Sequence, residues 1–223
     1  MKKFILHRLA QMALVFVAVS IFAFSIIYFS PGDPLYLYTS PAVSSYKMSD
    51  EQLDNMRESL GLNGNVVERY VNWAGKMIQG DWGMSVSNHQ PVKAQIMDKL
   101  PNTIGLMGAA LILSVLVAIP LGLLAGYYKN HWIDNIISGI SYLGISLPAF
   151  WFGIMLIIIF SLNLGWLPSA GMHSIGTTST GDLIRHGILP TIVLSVNNTA
   201  VFVRYIRSNT IEQMEEEYVM TAV

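Results

Sequence analysis

Four long stretches of the chain carry no ionisable side chain in their interiors, and they constrain the fold more than any other feature. A helix that crosses ~30 Å of hydrocarbon needs about 20 mostly apolar residues, and a lipid-embedded backbone must satisfy its own polar groups. The first stretch runs from Leu9 to about Phe29, behind Lys2, Lys3 and Arg8. Its apolar run is longer than a signal-peptide core, and "IIYFSPGDP" offers no small-x-small cleavage site, so a retained helix is expected. The others lie at about 103–127 with Pro120 inside, 136–164 with Pro148 inside, and 187–205, interrupted by Pro190 and by Asn197, Asn198 and Thr199. The expected fold class is therefore all-α, a polytopic membrane protein. The composition agrees: 52% of the residues are hydrophobic and 12% charged, about half the charged share of an ordinary soluble domain. A net charge of −1 lacks the basic patch that nucleic-acid binding requires, and the absence of cysteine excludes disulfides, thiolate metal sites and a cysteine nucleophile.

Lysine and arginine in short loops set orientation. Lys2, Lys3, Arg8, Lys129, Arg204 and Arg207 fall on one side if the N-terminus is cytoplasmic, while the short loop at about 165–186 carries only Arg185. The expected organisation is a first span over 1–30 with a cytoplasmic N-terminus, then an extracytoplasmic helical cap over 31–99. A membrane core over 100–207 and the start of a cytoplasmic helix over 208–223 complete it. Within the cap, Ser49 to Gln52 reads as a capping box before "EQLDNMRESL", with Gly61 as the stop. A second helix follows from the helical spacing of Val67, Tyr70, Val71, Ala74, Met77 and Ile78, closed by Gly80.

Candidate chemistry is sparse. Ion-coupled pumps use ionisable groups at membrane depth, and none of the four spans has one in its interior, so uphill transport would draw its energy from a partner. The five histidines lack metal-ligand spacing, so no metal site is expected. Ser146 in "GISLP" lacks the flanking glycine pattern of a hydrolase nucleophile and has no histidine base in a span, which points to helix packing instead. Gly122 and Gly126 have the G-x-x-x-G spacing of a close helix crossing, which also arises by chance in a glycine-rich span. Asn197, Asn198 and Thr199, with Ser146, either line a path or bond a neighbouring helix. At the tail, Ile211, Met214, Tyr218 and Ala222 recur at spacings of 3, 4 and 4, and place one face on a helix expected to carry Glu215, Glu216 and Glu217 toward its N-terminal end.

Several collinear segments resemble one family, the permease subunits of binding-protein-dependent ABC transporters of the oligopeptide, dipeptide and nickel group, specifically the first of two paired permeases. They are "SPGDP" (30–34), "LGLN" (60–63), "RYVNW" (69–73), "GDWGMS" (80–85), "PVKAQIMDKLPNTIGL" (91–106), "IPLGLLAGY" (119–127), "SLPAFWFG" (146–153), "LGWLPSAG" (164–171), "ILPTIVLS" (188–195) and "RYIRSNTIE" (204–212). The resemblance implies a type I ABC-importer permease fold with four of six membrane helices present in these residues, and a chain that continues beyond Val223 into two more spans. It implies no catalytic residue and no cofactor in this chain, with ATP hydrolysed by partner subunits.

In such permeases "EYVMTAV" opens the coupling helix that fits a groove on the ATPase. The resemblance therefore assigns Glu216, Glu217, Tyr218, Val219, Thr221 and Ala222 to coupling. It assigns Pro31, Gly32, Asp33, Pro34, Asp81 and Trp82 to the outer gate and binding-protein contact. Implied partners are a second homologous permease, two ATPases, an extracytoplasmic solute-binding protein and the bilayer of a bacterial cytoplasmic membrane. Met220 and Val223 replace residues that are commonly basic, which bears on ATPase docking, and "NGN" at 63–65 lacks a frequent proline. The solute stays open among peptides, nickel chelates, glutathione-like compounds and sugar derivatives, with a peptide favoured. The alternative is a membrane fragment that binds partner helices without transporting.

Overall fold

The computed structural model describes residues 1–30, 49–59, 64–85, 87–88, 90–177 and 179–217. Among them the regular elements are helices, with one isolated bridge between Met84 and Pro91. We number the helices α1 (Lys2–Tyr28), α2 (Asp50–Ser59), α3 (Val66–Ile78), α4 (Val92–Tyr127), α5 (Trp132–Ser146), α6 (Ala149–Leu156) and α7 (Thr180–Met214). A π-helical stretch, Ile157–Asn163, continues α6. The chain divides into two units, Met1–Asp98 and Lys99–Val223.

In the first unit, α1 is apolar all round and exposes Phe16 at 76% and Phe22 at 68%, as suits a helix solvated by lipid. The capping box expected at the start of α2 forms, with the Ser49 N–H donating to Gln52 Oε1 and the Gln52 N–H to Ser49 Oγ. The Gly61 stop lies outside the described residues. A second box, Asn65 with Glu68, opens α3 where the apolar spacing placed a helix, and Gly80 with φ +86° follows its end. The expected positions divide: Tyr70, Ala74 and Met77 are half-buried. Val67, Val71 and Ile78 are exposed, and α3 meets α1 through Arg69, Tyr70 and Trp73. Tyr70 Oη lies 2.7 Å from Ser20 Oγ, and Arg69 stacks on the Tyr28 ring. Aromatic area and a hydrogen bond outweigh the aliphatic positions there.

In the second unit, α4 presents Ala110, Ser114, Ala118, Gly122, Ala125 and Gly126 as a buried stripe of small residues. Small residues let helix backbones approach closely where lipid removes the hydrophobic drive for association. Pro101 and Pro120 sit inside α4 without breaking it, and Pro190 sits inside α7 likewise. The segment expected as one span over 136–164 is a broken pair: α5 and the helix beginning at Ala149 meet at 100°. The cause is local. Leu147 precedes a proline, which disfavours its helical conformation, and it is extended at ψ 123° with Pro148 at ψ 125°. The expected span over 187–205 belongs to a helix that runs over 35 residues. Among the described residues three helices are long and apolar enough to cross a membrane, or four if the bent pair is one span.

Candidate functional site

The site is built around α7, which has one face packed and one open. At roughly 100° per residue, Ser195, Val203, Ile206 and Thr210 fall on the side that meets α4. Ser114 Oγ donates to the Ser195 carbonyl at 3.1 Å across that contact. At Gly122 a Cβ would lie 2.6 Å from the Ile206 Cβ, and at Gly126 2.5 Å from the Thr210 Cβ, so only glycine permits this approach. The G-x-x-x-G spacing is thus a real crossing within the chain. Ala200 faces Gly144 of α5 on an adjoining side.

The other face of α7 carries Pro190, Val193, Asn197, Val201, Arg204 and Ser208, spaced 3, 4, 4, 3 and 4 apart. Two cavities open along it. One, of about 550 Å³, is apolar and lies against α6, lined by Phe150, Gly153, Ile154, Pro190, Val193 and Leu194. The other, of about 470 Å³, is polar and lies against α5, lined by Ser138, Tyr142, Arg204, Tyr205 and Ser208. A third cavity of about 700 Å³ separates the lower-numbered turns of α4 from the start of α7, between residues such as Leu106 and Ile188.

At the far end of α7 lies a polar block. Asp134, in the first turn of α5, is 2% exposed and accepts two bonds from the Arg207 guanidinium, the Nη2 one at 2.7 Å. It also accepts the backbone N–H of Asn130 and the Ser138 hydroxyl, so every lone-pair direction of the carboxylate is used. Asn130 turns the chain between α4 and α5 with φ 63°, a conformation asparagine tolerates. Lys129 pairs with Glu215 just past α7. At the opposite end of α7, Asp182 accepts the N–H and hydroxyl of Ser174 at 2.7 and 2.8 Å and the Thr177 hydroxyl at 3.0 Å. Arg185 donates twice to the Trp166 carbonyl, so the loop after the π-helical stretch is fastened to α7 in two places.

The expected site residues fall unevenly on this frame. Asn197 stands on the open face. Asn198 sits at its edge and donates to the Leu194 carbonyl at 3.3 Å, and Thr199 points to the other side of α7, half-buried. Ser146 donates back to the Tyr142 carbonyl in the last turn of α5, a bond that favours bending just before Pro148, and it lines neither of the open-face cavities. Asp81 accepts the Gly83 N–H and so shapes a tight turn, in which Trp82 is half-buried. Pro31, Gly32, Asp33 and Pro34 lie outside the described residues, as do Tyr218, Val219, Thr221 and Ala222. The expected helix over 208–223 is not one element: residues 208–214 continue α7, which ends at Met214, and the backbone turns at Glu215 and Glu216. Glu215 thus stands at a helix C-terminus, where the dipole opposes a carboxylate and Lys129 offsets it.

Sequence reasoning missed Asp134 as a partner. The signal was present, because Asp134 is the sole carboxylate between Asp98 and Asp182, and an arginine at the edge of an apolar helix needs a counter-charge.

Two family descriptions match the chain in tandem. Residues 118–223 match the binding-protein-dependent transport system inner membrane component, and residues 1–107 match the N-terminal part of such membrane components. The chain is 36% identical over 224 residues to the oligopeptide transport system permease protein AppB of Bacillus subtilis, covering 100% of this chain and 69% of that protein. It is 34% identical over 224 residues to a provisionally named peptide permease of Brucella suis, again covering 100% and 69%. It is 34% identical over 219 residues to a provisionally named peptide ABC transporter permease of Sinorhizobium fredii, covering 98% and 68%. The apolar helices and these matches define a multi-pass ABC transport permease, a protein that moves solute rather than an enzyme. The chain belongs to the family of binding-protein-dependent transport system inner membrane components.

Proposed function

We propose that the protein imports peptides as one of two permease subunits in an ATP-driven transporter of the bacterial cytoplasmic membrane. The observation that carries the solute class is that relatives matched along the whole chain are named for oligopeptide or peptide transport. In this reading the N-terminus and the Lys129, Asp134 and Arg207 end are cytoplasmic, as the lysine and arginine distribution favours. Two ATPases supply the energy, a solute-binding protein delivers the peptide from outside, and the extracytoplasmic segment 31–99, with Asp81 and Trp82, receives it.

The mechanism needs no reactive group in this chain. ATP binds the closed ATPase pair better than the open one, and that differential affinity drives the permease between outward and inward states. The push enters at the coupling residues Glu216 to Ala222. Three contacts carry it into the membrane: the Lys129–Glu215 pair, the Asp134–Arg207 pair, and the glycine crossing at Gly122 and Gly126. These make α7 and the α4–α5 corner one block, and the 100° break at Pro148 is the place where that block swings relative to α6. The open face of α7, with Asn197 at its middle, lines this subunit's half of the path.

The test is reconstitution of the permease pair with its ATPases in vesicles, with labelled di- to pentapeptides and the loaded binding protein outside. ATP-dependent accumulation of peptide is expected. Binding-protein-stimulated ATP hydrolysis with no peptide accumulated would remove the peptide assignment. Assembly of the complex with neither would favour a non-transporting membrane partner.

A further inference from the structure

The polar cavity beside α5 holds two guanidinium groups in different electrostatic states. Arg207 is neutralised by Asp134. Arg204, one helical turn earlier on the open face, has no carboxylate within 4.0 Å among the described residues. Its guanidinium instead lies over the Tyr142 ring, with Cζ 5.2 Å from the centroid. Stacking fixes the plane of the group and leaves its N–H edge free to donate in the plane. Ser208 one turn further on, Tyr205 beside it and Tyr142 line the same cavity. The Ser138 hydroxyl is committed to Asp134. A fixed guanidinium with uncommitted N–H groups, ringed by hydroxyls and unopposed by any described acid, matches a planar two-oxygen anion, which a guanidinium binds through two parallel bonds.

The position selects among anions. Arg204 shares its face of α7 with Asn197 and Val193, and about 16 Å of helical rise separates it from Val193. The apolar cavity along that face accepts apolar side chains, and the arginine cavity lies at its other end. A solute that pairs apolar side chains with a carboxylate fits both ends of the groove, whereas an uncharged sugar or a cationic chelate leaves the guanidinium unpaired. We propose that Arg204, oriented by Tyr142 and aided by Ser208 and Tyr205, is a carboxylate-recognition site for the transported solute at the inner end of the path. The proposal rests on the peptide-import reading and sharpens it, because it makes a free carboxylate, α-terminal or on an acidic side chain, part of what the permease itself selects.

The experiment uses the whole transporter in vesicles of phosphatidylcholine with a fixed share of phosphatidylglycerol. Wild type, Arg204→Gln and Arg204→Lys are compared for uptake of tripeptides as free acids and as C-terminal amides, each with and without an internal glutamate. Binding of the same peptides to the detergent-solubilised transporter, without binding protein, is read by saturation-transfer NMR. Wild type is expected to bind and import the free acids about tenfold better than the amides, the value of one charge-assisted pair. Arg204→Gln is expected to abolish that preference, and Arg204→Lys to keep part of it. Recovery of the amides by the glutamate would assign the site to any carboxylate, and no recovery to the α-carboxylate; both support the proposal. Equal losses for acid and amide in Arg204→Gln would overturn it in favour of a packing role. A response to phosphatidylglycerol content instead of peptide form would overturn it in favour of a lipid headgroup. No import of any peptide by wild type, with binding-protein-stimulated ATP hydrolysis intact, would instead remove the peptide reading.

Discussion

Arg207 on α7 and Asp134 in the first turn of α5 form a two-pronged ion pair whose carboxylate is buried and whose arginine side chain is 29% exposed, although 73 residues separate them in the chain. Removing Arg207 leaves the buried Asp134 carboxylate charged and desolvated, which typically costs about 3–5 kcal/mol, whereas removing Asp134 leaves a partly exposed guanidinium and costs less. Asp134→Ala and Arg207→Ala are each expected to lower the unfolding temperature of the purified complex and its level in the membrane. The double variant Asp134→Ala with Arg207→Ala is expected to be more stable than the sum of the single losses. Additive single losses in a thermal-shift series would show that the pair is not a unit.

The two kinds of glycine in the second unit give a sharper comparison. Gly126 has no room for a Cβ against Thr210, whereas nothing lies within 4 Å of the position a Cβ would take at Gly139. Gly126→Ala is expected to destabilise by about 1–3 kcal/mol through overpacking. Gly139→Ala is expected to be neutral or to gain up to about 1 kcal/mol from helix propensity. Denaturation in mixed detergent reads both, and a neutral Gly126→Ala would mean that α4 and α7 are further apart.

Pro148 holds the break between α5 and α6 through the extended Leu147 before it. Pro148→Ala frees Leu147 to become helical and restores an N–H donor, so the 100° angle is expected to open toward a straight helix. Spin labels at Ile140 and Ile154 should move apart by several ångströms, and peptide uptake should fall while ATP hydrolysis continues. An unchanged label distance would place the cause of the bend in tertiary packing.

The helical class and three long apolar helices were legible because lipid forces long charge-free segments, and that signal survives in any single sequence. The features that were not legible depended on pairing. Whether the spacing of Gly122 and Gly126 marked a helix crossing or arose by chance was undecidable without knowing that Ile206 and Thr210 face them. Val67, Val71 and Ile78 carried the right period on α3 but are exposed, while Tyr70 of the same set makes the contact together with Trp73, because periodicity marks a helix and not its partner. The role of Pro148 was underestimated for a local reason. Prolines 120 and 190 have helical residues before them and are absorbed, while Leu147 is extended, and the three look alike in sequence.

The loop at residues 164–177 is expected to depend on Asp182, whose carboxylate takes three hydrogen bonds from Ser174 and Thr177. Asp182→Ala removes all three acceptor sites and leaves the Ser174 N–H unpaired, whereas Asp182→Asn keeps one acceptor oxygen. Hydrogen exchange at Ser174 and Thr177 should therefore quicken strongly in the alanine variant and less in the asparagine one. Arg185 still ties Trp166 to α7, so exchange near Trp166 should change little. Uniform quickening across the whole loop in both variants would show that the two fastenings act as one.

The proposed coupling role of the tail is tested by separating hydrolysis from transport. The turn at Glu215 and Glu216 ends α7, so in the proposed coupling role a push there would reach the membrane helices through the polar block rather than along one continuous helix. Glu217→Lys or Ala222→Asp would place an unpaired charge against the ATPase groove, which opposes docking. Both variants should assemble, show impaired uptake, and hydrolyse ATP without responding to the loaded binding protein. Lys129→Glu should weaken coupling less, because Arg207 still holds Asp134 and the glycine crossing still carries α4 with α7. Wild-type uptake in the Glu217 and Ala222 variants would move the coupling contact elsewhere in the chain.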